Sequence, residues 1–305
     1  MRMQSDSTSS DISKATGRLL AVTLSPALQW TVPLAALRPG ELNRSREARL
    51  DASGKGMNAA RVFVQLGGQA TLLTPLGGRL RDVYASLAEA DGVAVAAIDS
   101  GAEVRICSTL VDLDAGDSTE IIAEADPVAA DTEAQLRARF LLELPGAAVV
   151  TVSGSQPAGF SAKLFPWMIA QARQLGIPTA LDFAGAVLNA CLEERPDWIK
   201  INREEFAATF GDGEPRPLME RLHAQLGIRT VITDGPHGIM AFDGAEFFTC
   251  PPVPATPVNP IGCGDAFLAG LAYGLVQRRP TRETLALALK AAAQNLQAIR
   301  PGSLR

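Results

Sequence analysis

Two glycines, a cysteine and a carboxylate stand together at Gly262-Cys263-Gly264-Asp265, within the run from Val258 to Gly270. Glycine lets main-chain N–H groups approach an anion with no side chain between them, and the positive end of a following helix favours negative charge at that point. Phe267, Leu268, Leu271, Ala272 and Leu275 recur at helical spacing, which predicts a buried helix beginning near Ala266. Asp265 would then sit where a phosphate can be held and a hydroxyl deprotonated. Aspartate is also a favoured helix cap and Gly-rich turns are common in α/β proteins, so this run alone admits a purely structural role. It is neither of two familiar phosphate loops: the chain has no G-x-x-x-x-G-K-[ST], and Phe267 stands where G-x-G-x-x-G needs its third glycine. Cys263 suits the loop by its small size, although a helix N-terminus can also lower a thiol pKa.

A second Gly-rich segment, Asp51-Ala52-Ser53-Gly54-Lys55-Gly56-Met57-Asn58-Ala59-Ala60-Arg61-Val62, makes a pair with the first. With Ser25-Pro26-Ala27-Leu28-Gln29, Arg38 to Arg44, Ser153 to Gly159 and Lys200-Ile201-Asn202-Arg203-Glu204-Glu205, it resembles the PfkB family of sugar kinases. The likeness is to its 1-phosphofructokinase and tagatose-6-phosphate kinase branch, and it runs from about Arg18 to the C-terminus. Each motif is weakly specific, but five in the right order are strong. The resemblance implies a ribokinase-like α/β fold, with a mainly parallel central sheet flanked by helices and a small β-sheet lid. It implies transfer of a phosphoryl group from ATP, with Mg²⁺, to a hydroxyl of a sugar phosphate.

Carried over residue by residue, the resemblance makes Asp265 the base for that hydroxyl, and the amides of Gly262, Cys263 and Gly264 the donors to the transferred group. Ser53, Gly54, Lys55 and Asn58 face the sugar, and Arg105 grips the substrate's own phosphate as a planar bidentate fork, with Arg44 in the same basic patch. Thr233, Gly235 and Gly238 line the ATP site, with Lys200 near its phosphates and Asn295 towards the adenine. Asn202 and Glu205 match the family's N-x-x-E motif, which arranges Mg²⁺ and its waters; the same spacing is that of a helix capping box, and both roles can hold together. Two departures stand out. Gln29 replaces the usual aspartate, so the set of hydroxyls recognised can change, and Pro260 replaces a common threonine beside the anion loop. Fructose 1-phosphate is the favoured acceptor on this reading and tagatose 6-phosphate the next; a family kinase for an unphosphorylated sugar or nucleoside, against which Arg105 weighs, is the further enzyme alternative, and a non-catalytic sugar-phosphate sensor is the alternative of another class.

Composition agrees with a folded α/β chain: 305 residues, 47% hydrophobic, with 28 basic and 33 acidic residues giving a net charge of −5. There is no long basic run to track nucleic acid and no apolar stretch of membrane-spanning length, so nucleic-acid and membrane partners are not expected. Cys107, Cys191, Cys250 and Cys263 form no C-x-x-C pair, which fits a reduced, cytoplasmic protein. His223 and His237 lie near no obvious nucleophile.

The elements that must position these residues follow from the apolar runs. Leu19 to Leu24, Thr71 to Leu76, Ala147 to Val152, Pro178 to Asp182, Trp198 to Ile201 and Thr230 to Thr233 read as buried strands. Met57 to Leu66, Val83 to Ala90, Ala162 to Leu175 and Leu218 to Leu226 read as helices between them, which predicts a mainly parallel sheet covered on both faces. Residues 31–50 and 103–124 break this rhythm and are expected to pair as a small antiparallel lid, which in the family often packs against its counterpart in a homodimer. The expected organisation is a disordered tail over residues 1–16, a core of 17–30, 51–102 and 125–305, and the lid between.

Overall fold

The computed structural model describes residues 17–304, and the expected tail lies outside them. Among the described residues the chain runs β1 (Arg18–Val22), β2 (Ala27–Leu34), β3 (Arg49–Ser53), α1 (Lys55–Gln65), β4 (Gln69–Leu76), α2 (Arg81–Ala90), β5 (Ala94–Asp99), β6 (Arg105–Asp112), β7 (Asp117–Ile121) and α3 (Thr132–Glu143). It continues through β8 (Ala147–Ser153), α4 (Leu164–Gln174), β9 (Thr179–Asp182), α5 (Gly185–Leu192), β10 (Trp198–Asn202), α6 (Arg203–Phe210), α7 (Pro215–Leu226) and β11 (Arg229–Thr233). β12 (Ile239–Phe242), β13 (Phe247–Cys250), α8 (Cys263–Val276) and α9 (Thr281–Leu296) complete it. All six strands and all four helices expected from the apolar runs are present.

The large sheet has the order β13-β12-β11-β10-β9-β8-β1-β4-β5, parallel from β11 to β5, with β12 and β13 added antiparallel at one edge. Its strands are apolar on both sides because both sides are covered. Leu19 and Ala21 pack with α1, α2, α8 and α9, while Leu20 and Val22, one residue out of phase, pack with α3 to α7. β1 is flanked by β4, which follows it closely, and by β8, which comes much later. This reversal opens a crevice at the carboxyl ends of the strands, the usual ligand position in such sheets.

The small sheet, β3-β2-β6-β7, reaches beyond the segments in which it was expected, since strand residues 27–30 and 51–53 belong to it as well. It is mixed, not antiparallel throughout: β2 runs parallel to β6, and only the outer pairs are antiparallel. The long connection between β2 and β6 passes through β4 and β5 of the large sheet, and a crossover of that length permits parallel pairing. The alternation holds along β6 and at Trp30, while Leu28 and Ala52, in register with Ile106 on the same face, are buried in the main core. Ala27, Gln29, Thr31, Cys107, Thr109 and Val111 point inward and are buried, whereas Trp30, Ile106 and Ile121 are exposed on the other face.

Candidate active site

α8 begins at Cys263, a turn's fraction earlier than its apolar pattern implied. Gly262 makes that start, with φ 83°, and a side chain there would run into the main chain of Gly302. Cys263, Gly264 and Asp265 therefore form the helix's first turn. The N–H of Cys263 is engaged by the Pro260 carbonyl at 3.3 Å, while among the described residues those of Gly264 and Asp265 make no hydrogen bond, as expected of first-turn donors. The expected set of free amides thus shifts: Cys263 contributes less, and Asp265's own N–H joins.

Asp265 is buried and directed at α1, where Asn58 Nδ2 donates to its Oδ2 at 2.8 Å. Burial pushes its carboxyl up, and the nearby Asp182 adds to that, while Lys55, Asn58 and Lys200 oppose it; the result is a pKa of about 6. Below the loop lies a carboxylate that the sequence reading did not single out. Asp182, fully buried at the end of β9, receives Lys200 Nζ at 3.0 Å and faces Lys55 Nζ at 3.7 Å. Burial alone would raise its pKa, but Lys200 and Lys55 hold it below the ordinary carboxylate value. Lys55 is held up in turn, chiefly by Asp182, so its ammonium stays charged. A polar residue ending an otherwise apolar buried strand was the signal for Asp182. Gly264 lies so near Lys200 that a Cβ would come within 2.7 Å of Nζ, which puts this cation directly under the anion loop.

On the other side of the loop is a cleft of about 620 Å³. Thr233, Gly235 and Gly238, all expected at the ATP site, line it with Cys263 and Gly264, and the far wall is the proline-rich strap from Pro252 to Pro257. Gly116, at the β6–β7 turn of the small sheet, also reaches the cleft, and Ser118 Oγ lies 3.2 Å from Asn259 Oδ1. Asn202 and Glu205 form a full capping box at the start of α6: Asn202 Oδ1 accepts from the Glu205 N–H at 2.7 Å, and the Asn202 N–H donates to Glu205 Oε2 at 3.1 Å. Glu205 Oε1 is an oxygen suited to a hard cation or its waters, whereas both oxygens of Asp182 face lysine ammoniums, Oδ1 toward Lys55 and Oδ2 toward Lys200. Among the described residues no cluster of three or more His, Cys, Asp or Glu forms a ready-made metal cage.

Two residues expected at the ligands make other contacts. Asn295 is fully buried, and its amide donates to the Ile261 carbonyl at 2.8 Å while its Oδ1 accepts from the Ser303 N–H at 3.1 Å; it braces the anion loop instead of facing adenine. Arg105 spends its fork on main-chain carbonyls, Ala123 at 2.8 Å and Ser25 at 3.2 Å, so it staples the small sheet to the end of β1 and is not presented as a bidentate phosphate clamp. Burial pushes the Cys263 thiol up to about 11 despite the helix N-terminus, so its small size is what suits it to the loop. Gln29 is buried and donates to Thr109 Oγ1 at 2.8 Å, which fixes its amide on the inner face of the small sheet. Ser53, Gly54 and Lys55 follow at the β3–α1 junction, and Arg44 is exposed in the loop before β3.

The doubly covered, mainly parallel sheet with the small sheet beside its carboxyl edge is the ribokinase-like fold of a sugar kinase. The chain belongs to the pfkB family of carbohydrate kinases, whose model matches residues 28–303. Sugar kinases of this family use ATP. Among solved structures it is similar to phosphofructokinase-2 from Escherichia coli in complex with fructose-6-phosphate, at 24% identity and TM-score 0.83, covering 91% of this chain and 93% of that one. It is also similar to a protein described as a possible 1-phosphofructokinase from Thermotoga maritima, at 18% identity and TM-score 0.86, covering 94% of each chain. A tetrameric inhibited form of the Escherichia coli phosphofructokinase-2 matches at 22% identity and TM-score 0.83, covering 92% of this chain and 94% of that one.

Proposed function

We propose that this chain is a cytoplasmic kinase that transfers the γ-phosphoryl group of Mg-ATP to a hydroxyl of a phosphorylated ketohexose, fructose 1-phosphate first and tagatose 6-phosphate next. The observation that carries the kinase reading is the placement of Asp265 between the nucleotide-sized cleft and the α1 start, with free first-turn amides beside it, while the choice of a phosphorylated ketohexose rests on the likeness to phosphofructokinases. Asp265 Oδ1 takes the proton of the acceptor hydroxyl, that oxygen bonds to the γ-phosphorus, and the bond to the bridging oxygen breaks to leave ADP. The amides of Gly264 and Asp265 and the ammonium of Lys200 meet the charge on the transferred group. Magnesium, when bound, would neutralise phosphate charge; Glu205, oriented by Asn202, is the residue we assign to it and its waters. Ser53, Gly54, Gln29 and the half-exposed Lys55 form the sugar side, while Thr233, Gly235 and Gly238 receive the nucleotide.

Two small sheets packed outer face to outer face would make a homodimer. The exposed Trp30, Ile106 and Ile121 support that reading, because such a patch on a monomer would otherwise face water.

The test is ADP release with Mg-ATP against free and phosphorylated sugars. Turnover with phosphorylated ketoses alone is expected. Acceptance of free sugars at equal kcat/KM would remove the sugar-phosphate assignment, and tight binding of a sugar phosphate without ADP release would make the chain a sensor.

A further inference from the structure

Asn58 stands on the sugar side by motif, yet its amide is committed elsewhere. Nδ2 donates to Asp265 Oδ2 at 2.8 Å, and Oδ1 accepts from Ser53 Oγ at 3.2 Å and from an Arg61 guanidinium nitrogen at 3.1 Å. Two donors on Oδ1 and a carboxylate on Nδ2 leave the amide one orientation, since a flip would set oxygen against carboxylate and N–H against N–H. Behind it, Arg61 is 1% exposed and equally constrained. Its guanidinium reaches Asp91 at 2.8 Å, the carbonyls of Pro301 and Gly302 at 3.1 and 3.4 Å, and that of Ala52. Arg300, from the segment after α9, grips the same Asp91, so the C-terminal segment, α1 and the end of β3 meet at one arginine. Among the described residues Asp265 Oδ1 makes no hydrogen bond.

We infer that Arg61 is a positioning residue for phosphoryl transfer: acting through Asn58, it holds the Asp265 carboxylate with Oδ2 occupied and Oδ1 turned to the acceptor hydroxyl. This rests on the reading of Asp265 as the base. Losing the Asn58 bond removes a contact that favours the charged carboxylate, and frees the group to rotate. The charged groups facing Asp265 stay in place: Lys55 from α1, Asp182 from the end of β9 and Lys200 from β10.

The experiment is the pH dependence of kcat for the full chain, with wild type, Asn58→Ala, Asn58→Ser, Arg61→Lys and Arg49→Ala. The wild-type acid limb is expected near pH 6, the value to which Asp265 is raised. In the Asn58 variants it moves up by about one unit, as the loss of a hydrogen bond to a charged group implies. The plateau kcat falls about 10- to 100-fold through misorientation, and KM for ATP is unchanged. Arg61→Lys keeps a cation beside Asp91 but loses the second contact, and shifts the limb in the same direction by less. Arg49, which bonds Asp51 in the same ion cluster without reaching Asn58, reports mere destabilisation, and its variant keeps the wild-type limb. An unmoved limb in the Asn58 variants or in Arg61→Lys, or an equal shift in Arg49→Ala, overturns the role, and Arg61→Gln takes the place of Arg61→Lys should the lysine variant fail to fold. An inactive wild type on every acceptor would overturn the kinase reading and this role with it, whereas an active enzyme with an unmoved limb overturns this role only.

Discussion

At the scale of single residues, Asp265 joins two demands that pull against each other. Its pKa of about 6 comes chiefly from burial, so the fold accommodates the protonated carboxyl more readily than the anion that the chemistry needs. The sign follows from linkage. A carboxyl raised in the folded state favours folding fully below its ordinary value of 3.8, and that contribution is lost as pH rises through about 6. At pH 8 the buried anion therefore costs the fold on the order of 3 kcal/mol. Asp265→Asn removes the charge and keeps the shape and an acceptor oxygen for Asn58. Its kcat should drop by at least about 10²-fold, the usual scale of general-base catalysis. Its melting temperature at pH 8 should equal or exceed that of wild type, with the difference shrinking at pH 5. A variant that melts well below wild type at pH 8, or turns over nearly as fast, would remove the carboxylate from the role given to it.

At the scale of elements, the Asn202–Glu205 cap leaves room for the cation role proposed for Glu205. The box uses Glu205 Oε2, leaving Oε1 for a cation or its water. Glu205→Gln retains an acceptor for the Asn202 N–H, so α6 should keep its start and the far-ultraviolet spectrum its shape. The magnesium concentration for half-maximal activity should rise severalfold, because a neutral amide replaces a charged oxygen ligand; an unchanged magnesium curve would leave Glu205 a cap only. The contact between α8 and α9 makes a second case. A Cβ on Gly270 would lie 2.5 Å from the Ala288 Cα, which is main chain and cannot yield as a flexible side chain would. Gly270→Ala should therefore cost about 1–3 kcal/mol in urea unfolding, the range for overpacking, and a neutral result would mean that the helices separate easily. Such contacts also mark how far the sequence could be read. Continuous apolar runs such as Leu19 to Leu24 reveal buried parallel strands because both sheet faces are covered. Glycines before an aspartate reveal the anion loop because few other residues permit it. The true start of α8 was hidden, since Gly264 and Asp265 are not apolar and Cys263 alone adds no period to the pattern. Arg105 and Asn295 were legible as polar residues of the right kind, but their partners lie 80 residues away at Ser25 and 34 away at Ile261, and only the tertiary fold supplies them. Asp182 and Arg61 escaped for the same reason: their meaning lies in what they touch.

At the scale of the whole molecule, the two sheets divide the work. The large sheet presents the carboxyl ends of β1, β8, β9 and β10 to the crevice, and the small sheet closes over it with its inner face. Arg105 and the Ser118–Asn259 contact tie the two together at opposite ends. The inner face is buried by this packing. The outer face is left with Trp30 at 40%, Ile106 at 49% and Ile121 at 59% exposure, and in-register pairing puts all three on one side of the sheet. Isolated exposed apolar residues need no explanation, but three on one small sheet form a patch of the kind that proteins cover. If a second copy covers it, each isoleucine buried in the interface contributes about 1.5–3 kcal/mol at most. Replacing both by Ile106→Asp and Ile121→Asp should then weaken association by about 10²-fold or more, and circular dichroism should be unaltered because both side chains point away from the core. Sedimentation velocity across micromolar concentrations is the measurement. Wild type is expected to run as a dimer and the double variant as a monomer; a wild type that stays monomeric over that range would leave the apolar face without the partner assigned to it.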